Sequence, residues 1–151
     1  MKLSTAELKA KELIKQYKLS DYKFMFDDAV SRFGYCSQTK KIISLSKTLT
    51  ELNNEQAVID TILHEIAHAL TPHQNHNEVW QRVAKAIGSS GERCYDDKLT
   101  ETPLAKWTAH CPNCSMDVLR AKRNRRLHCS KCYKANNRRF NKKFKFKWIR
   151  N

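Results

Sequence analysis

His64-Glu65-Ile66-Ala67-His68 is an H-E-x-x-H string inside a longer apolar stretch, and its reading decides how the rest of the chain is laid out. In a helix, residues four apart lie one turn above each other and about 40° apart around the axis, so His64 and His68 can offer nitrogens to one metal ion. Glu65 falls about 60° beyond His68, close enough to hold a water at that metal without ligating it. Val58, Ile59, Ile62, Leu63, Ile66, Ala67, Ala69 and Leu70 occupy the remaining arc, which predicts a helix buried in a core. A solvated helix face can carry two histidines and a glutamate with no metal. Here the polar trio is the exception on an apolar helix, and the pattern is that of a zinc hydrolase.

Working outward, Asn53 with Gln56 forms a capping-box signal that starts this helix, and Pro72 stops it. Upstream, Ser4 to about Tyr17 reads as a helix with Ser4 as N-cap and Glu7 closing a capping box. Tyr22 to Phe26 and Lys41 to Ser46 read as strands of a small sheet, with Gly34 to Lys40 as the turn region between them. Downstream, Gln74 to Asn77 is a polar turn, and apolar positions 79, 80, 83, 86 and 87 predict a second helix ended by Gly88. The stretch from Ser89 to Pro103 reads as a linker. The expected class is α+β.

Zinc in hydrolases usually has three protein ligands and one open position. The metzincin pattern would need a glycine three residues after His68 and a histidine six residues after it, whereas the chain has Thr71 and Gln74 there, so that class is excluded. Glu92 is the best-spaced candidate for a glutamate ligand, but it falls in the linker. His73 and His76 are nearer, past the Pro72 break where the chain can fold back. His76 is favoured because the following helix would fix its position; His73 is held in reserve. With three neutral imidazoles on Zn²⁺, bound water has its pKa lowered toward about 7 and becomes the nucleophile. Glu65 would be its general base.

The charge is unevenly spread. The chain of 151 residues is 40% hydrophobic with a net charge of +14, but residues 1–100 hold 14 Lys/Arg against 13 Asp/Glu while residues 101–151 hold 15 against 2. Such asymmetry points to a polyanion-binding tail on an electrostatically ordinary domain. No apolar run approaches the roughly 20 residues of a membrane span, and Met1-Lys2-Leu3-Ser4-Thr5 leads into a charged segment, not a signal peptide. The expectation is an intracellular protein of cytoplasm, nucleoid or nucleus, not secreted, with no membrane partner and a monomeric state.

Cys111, Cys114, Cys129 and Cys132 give C-x2-C-x14-C-x2-C, the spacing by which two knuckles close a tetrahedral Cys₄ zinc site. Such a closed site is structural, and its metal replaces the core that about 40 residues cannot build. His110 and His128 precede knuckle cysteines and are expected outside the ligand set. Cys36 and Cys94 are left over as ordinary semi-buried residues. Two Zn²⁺ ions are therefore expected, one catalytic and one structural. Arg120, Lys122, Arg123, Arg125 and Arg126 lie between the knuckles, and Arg138, Arg139, Lys142 and Lys143 open a basic run with Phe140, Phe144, Phe146 and Trp148. These basic residues are candidate contacts to nucleic acid, binding phosphates without sequence specificity. The aromatics could stack on unpaired bases or complete a short amphipathic strand.

His64 to Leu70, then His76 with Trp80 four residues later, resemble the SprT-like (Spartan-type) metalloprotease family. Phe26-Asp27-x-Ala29-x-x-Arg32-x-Gly34-x-Cys36, the strand Ile42–Ser46 and the paired C-x-x-C extend the resemblance over most of residues 20–135. That family commonly has glycine after its third histidine; this chain has Asn77. The resemblance implies a small zincin-like metalloprotease domain over residues 1–100, helices on a short β-sheet, followed by a basic zinc ribbon over 104–151. It implies a zinc endopeptidase that cleaves DNA-bound or DNA-crosslinked proteins, with single-stranded or structured DNA as partner and DNA–protein crosslink repair as the role. The alternative is a non-enzymatic, transcription-related DNA-binding zinc protein. Glu65 separates the two, because a structural site has no need of a carboxylate beside the first histidine.

Overall fold

The computed structural model describes residues 1–92, 101, 105–120 and 122–151. Cys94 and most of the expected linker lie outside the described residues. The chain divides into two compact units, Met1–Pro103 and Leu104–Asn151, and the architecture is α+β throughout.

The first unit begins with α1 (Leu3–Gln16), whose Ala6, Ala10 and Ile14 recur every four residues and are buried. Its N-cap is Lys2, with no side-chain cap, in place of the expected Ser4. Glu7 reaches forward to Lys11 at 2.7 Å, so the capping box does not form. Three strands follow: β1 (Lys23–Asp27), β2 (Gly34–Ser37) and β3 (Ile42–Ser46). Their order is β1-β3-β2, with β1 parallel and β2 antiparallel to β3. Thus the first half of the stretch read as a turn is an edge strand. Central β3 buries Ile43, Ser44, Leu45 and Ser46, as a strand covered on both faces does.

A short helix that the sequence reading did not anticipate, α2 (Lys47–Leu52), starts where the Ser46 hydroxyl accepts the Leu49 N–H at 3.1 Å. Next comes α3 (Glu55–Leu70), capped by Asn54, which accepts the Ala57 N–H at 2.9 Å. Asn53, expected in that role, instead holds α2 and the chain at 101: its amide donates to Leu49 O and Glu101 O, and its Oδ1 accepts the Glu101 N–H at 2.7 Å. Val58, Ile62, Ile66 and Ala69 of α3 join α1 and the sheet in one core. Full burial of Ile62 and Ile66 contributes roughly 1.5–3 kcal/mol each. On another side of the helix Ala67 packs with Trp80 and Ala84 of α4 (Glu78–Ala86). No described helix is long and apolar enough to cross a membrane.

The second unit is a three-stranded antiparallel sheet, β5-β4-β6, of β4 (Trp107–His110), β5 (Asp117–Arg120) and β6 (Lys147–Arg150), with α5 (Ser130–Ala135) between β5 and β6. Its core is Cys111, Cys129, Cys132 and Phe144, with Cys114, Met116 and Phe146 against them. The aromatics of the basic run therefore divide. Phe144 is core, Phe146 lines it, Trp148 lies in the sheet, and Phe140 is 55% exposed.

Candidate active site and candidate metal centres

Two turns of α3 and the loop after it bring three imidazoles together. His76 Nε2 lies 3.0 Å from His68 Nε2 and 3.1 Å from His64 Nε2. Three ring nitrogens this close cannot all pair with one another, since each carries either a proton or a lone pair. A single cation between them resolves the arrangement, and tetrahedral ligation at Zn–N distances of 2.0–2.1 Å spaces such nitrogens by about 3.3 Å. The donor set thus fits zinc. His64 and His68 are both held neutral, with pKa lowered to about 4, chiefly by burial and then by the neighbouring imidazoles. Each ring is also oriented from behind: His64 donates to the Glu92 backbone carbonyl and His68 to that of Gln74. Such bonds leave the Nε2 lone pairs for a metal.

His76 reaches this position through a tight return of the chain. Thr71 caps the end of α3, its hydroxyl donating to Ala67 O at 2.7 Å, and His73 and His76 adopt left-handed φ of 65° and 49°. Asn77 then caps α4, accepting the Trp80 N–H at 3.1 Å, while its amide donates to Gln74 Oε1. Asn77 itself is extended (φ −79°), so the position that commonly holds glycine in the family resembled needs no left-handed residue in this chain. Gln38 pins the same loop: its amide donates to His68 O at 2.8 Å, and its Oε1 accepts the His73 N–H at 3.3 Å. His73, the reserve ligand, stays outside the triad on the rim of the cleft. Glu92, the alternative carboxylate ligand, is outside the cluster and meets His64 through its backbone carbonyl instead.

Trp80 forms the wall behind the triad. It is fully buried, with ring centroids 4.7, 5.1 and 4.5 Å from those of His64, His68 and His76.

Glu65 is 6% exposed, turned between α3 and β2. Burial raises its pKa to about 8, against the opposing effects of the Arg32 charge and the Cys36 N–H that it accepts. Gly34 makes that approach possible, since a Cβ there would lie 2.6 Å from Glu65 Oε1, 2.8 Å from its Cγ and 2.9 Å from Thr61 Cγ2. Cys36 itself is half-buried, its thiol pushed up to about 12 first by burial and then by Glu65. Arg32 is held at 2.6 Å by Asp27, whose carboxylate also accepts from the Ala29 N–H and the Ser44 hydroxyl. Burial works to raise Asp27, but these donors outweigh it and hold the carboxyl below its ordinary value. Two clefts flank Glu65 and His64. One of about 230 Å³ includes Arg32, Asp60 and Ser90, and one of about 660 Å³ includes Tyr35, Gln38 and the rest of the triad.

The sequence reading named Gly34 within the family-like motif and Glu92 as a carboxylate ligand without the supporting role that the structure gives each, and it did not single out Gln38. Only Gly34 carried a signal: an isolated glycine beside a strand marks close backbone approach.

In the second unit, Cys111 Sγ lies 3.8 Å from Cys132 Sγ, and Cys114 Sγ lies 3.7 Å from Cys129 Sγ. Tetrahedral Zn–S bonds of 2.3 Å space sulfurs by about 3.8 Å, so these four thiols also fit zinc. All four are free, as is Cys36. His110 bonds Asp117 at 2.7 Å and His128 packs on Tyr133 and Phe140, so neither joins the cluster. Arg120, Lys122, Arg123, Arg125, Arg126, Arg138, Arg139, Lys142 and Lys143 are all exposed.

A comparison with curated proteins returned no match. The model of the SprT-like family matches residues 6–102, a stretch that holds His64, Glu65, His68, His76 and every residue that supports them but not the cysteine cluster. The chain belongs to the SprT-like family.

Proposed function

We propose that the chain is a zinc-dependent endopeptidase which its basic second unit carries to DNA, where it cleaves DNA-bound or DNA-crosslinked proteins. Family membership supports a metalloprotease-type function. The observation that carries the rest is the meeting of three imidazole nitrogens beside one buried carboxylate.

Zinc bound at His64, His68 and His76 would supply Lewis-acid chemistry to water and to a carbonyl oxygen. Glu65 takes the proton of the attacking water and passes it to the leaving amine, a role that needs it ionised: burial raises its pKa to about 8, and a dication at the three imidazoles would favour the carboxylate form. The Cys36 N–H holds that carboxylate in place. Because the Cys36 N–H points to Glu65, it faces away from β3, and by strand alternation Gly34 turns its own N–H and C=O the same way. The edge of β2 therefore offers backbone groups to an extended peptide running past Glu65 and the triad. Such main-chain binding suits an enzyme that takes its selectivity from DNA tethering. The excess of 15 Lys/Arg over 2 Asp/Glu in residues 101–151 supports that tethering.

The test is cleavage of a DNA-binding protein by the zinc-loaded chain, with and without DNA, beside Glu65→Gln. The expected result is DNA-stimulated cleavage that Glu65→Gln lowers about 10²–10⁴-fold at unchanged zinc content. Equal cleavage by the variant refutes the role of Glu65, and no cleavage by the parent chain favours a non-enzymatic DNA-binding protein.

A further inference from the structure

Sheet register in the second unit gathers arginines that are far apart in sequence. Trp107 opens β4 and is paired with Arg120 of β5 on one side and Arg150 of β6 on the other. Directly opposed residues in antiparallel strands share a face, with Cβ atoms about 4.5–5.5 Å apart. The indole thus lies between two guanidinium stems. Arg123, three residues past Arg120, brings its guanidinium carbon 5.3 Å from the centroid of the same ring. Along β6, Phe146, Trp148 and Arg150 alternate onto this face, which runs from the cysteine cluster to the arginines.

Register brings the stems of Arg120 and Arg150 beside the ring on which Arg123 stacks, Arg120 Nη1 also donating to Leu119 O at 3.0 Å, and like charges gathered this way are best joined by an anion. Arg120, Arg123 and Arg150 are exposed and Trp107 is half-buried. Among the described residues, none of the three has a carboxylate within the 4.0 Å of a salt bridge. The one acid of residues 104–151, Asp117, is at the far end of β5 and is engaged by His110. Guanidinium forks match phosphate oxygens bidentately and stack on aromatic faces, and the shared indole sets this group apart from Arg125, Arg126, Arg138, Arg139 and the lysines of the unit.

We propose that Trp107, Arg120, Arg123 and Arg150 form a phosphodiester-binding site that grips the backbone of a nucleic-acid strand. This rests on the DNA-tethering reading above and adds to it Trp107 and Arg150, and a definite place. Arg120 and Arg150 start about 9.6 Å apart, two strand spacings, so they reach different phosphates, while Arg123 is oriented by its stack on the indole. Contacts of this kind hold the strand without reading its bases.

The experiment measures anisotropy of a labelled oligonucleotide, single-stranded and duplex, titrated with the full zinc-loaded chain between 50 and 200 mM salt. Arg120→Gln/Arg123→Gln/Arg150→Gln is compared with Lys131→Gln/Lys134→Gln/Lys145→Gln, which removes the same charge from exposed positions of the same unit. The arginine variant is expected to lose about 2.1 from the salt slope on single strands or about 2.7 on duplex, and at least about 30-fold in affinity. The lysine variant should lose less than about fivefold, and Arg→Lys at the three positions should restore the slope without the full affinity. Equal losses in the two glutamine variants, or an unchanged slope in the arginine variant, overturn the site while leaving DNA tethering in place. Displacement of the oligonucleotide by 10 mM inorganic phosphate at constant ionic strength marks a free-anion site and overturns the strand-backbone assignment. Absence of nucleic-acid binding by the parent chain overturns both readings.

Discussion

Gly34→Ala tests the active-site geometry most directly, because its effect follows from three distances. The added methyl would stand 2.6 and 2.8 Å from Oε1 and Cγ of Glu65 and 2.9 Å from Cγ2 of Thr61, where unstrained contacts are about 3.5 Å or more. Neither neighbour is free to move: Glu65 is buried and holds the Cys36 N–H, and Thr61 bonds Ala57 O at 2.9 Å from the same helix. Relief requires about 0.6–0.9 Å of displacement of Glu65 or of β2. Overpacking of this size costs about 1–3 kcal/mol of stability, and a general base displaced by about 1 Å loses up to about 10²-fold in rate. Gly34 is not among the glycines with positive φ, so backbone strain adds nothing. Urea unfolding, zinc content and peptide cleavage would be measured for Gly34→Ala alone and with Glu65→Ala. In the double variant two of the three contacts disappear, and the stability cost of Gly34→Ala should fall by about 1 kcal/mol. The reasoning fails if Gly34→Ala keeps parental stability and activity, or if its cost is the same with and without Glu65.

Three further outcomes follow from the site. His76→Ala should release the first-unit zinc whereas His73→Ala should retain it, as metal analysis of the two variants would show; loss of zinc from both would put His73 in the ligand set. Asn77→Ala removes the cap of α4 next to a ligand, with an expected cost of about 0.5–2 kcal/mol in unfolding and weaker zinc retention against a chelator, and a variant indistinguishable from the parent would refute the cap. In the chelator-treated chain two pH effects should oppose each other. His64 and His68 lie near 4 folded against 6.5 unfolded, so their stabilising contribution is complete above about pH 6.5 and is lost as pH falls through 4. Glu65 lies near 8 against 4.5, so its contribution is complete below about pH 4.5 and is lost as pH rises through 8. The stability advantage of Glu65→Gln over the parent should therefore widen from about pH 5 to 8 in urea titrations, and a constant difference would contradict the burial of that carboxyl.

What could be read from the sequence was whatever rests on periodicity or spacing. The four-residue spacing of His64 and His68, the apolar arc around them and the two C-x-x-C pairs are local patterns, and the structure brings together the residues they named. What could not be read depends on distant partners. Ser4 and Glu7 have the residue types of a capping box, yet the helix starts one residue before Ser4 and Glu7 finds Lys11. Asn53 and Asn54 are equally good caps by type, and only the pairing of Asn53 with Glu101 decides between them. Strand β2 has four residues and opens on glycine, so propensity assigns it to a turn; its partners, Ile42 to Leu45, arrive after the Thr39–Lys41 reversal, and its outer side meets Glu65. The His76 placement rests on a loop of left-handed residues that no pattern announces.

Trp80 is the only tryptophan of residues 1–103, and its indole is fully buried in contact with all three imidazoles. Its ring is nearly parallel to that of His68, at 27°, and edge-on to the others. An imidazolium quenches indole emission and a neutral ring does so far less, so the site carries a built-in optical reporter of its own protonation and metal loading. With Trp107 and Trp148 replaced by phenylalanine, the emission of this one residue would follow the first-unit centre in real time, with no external dye.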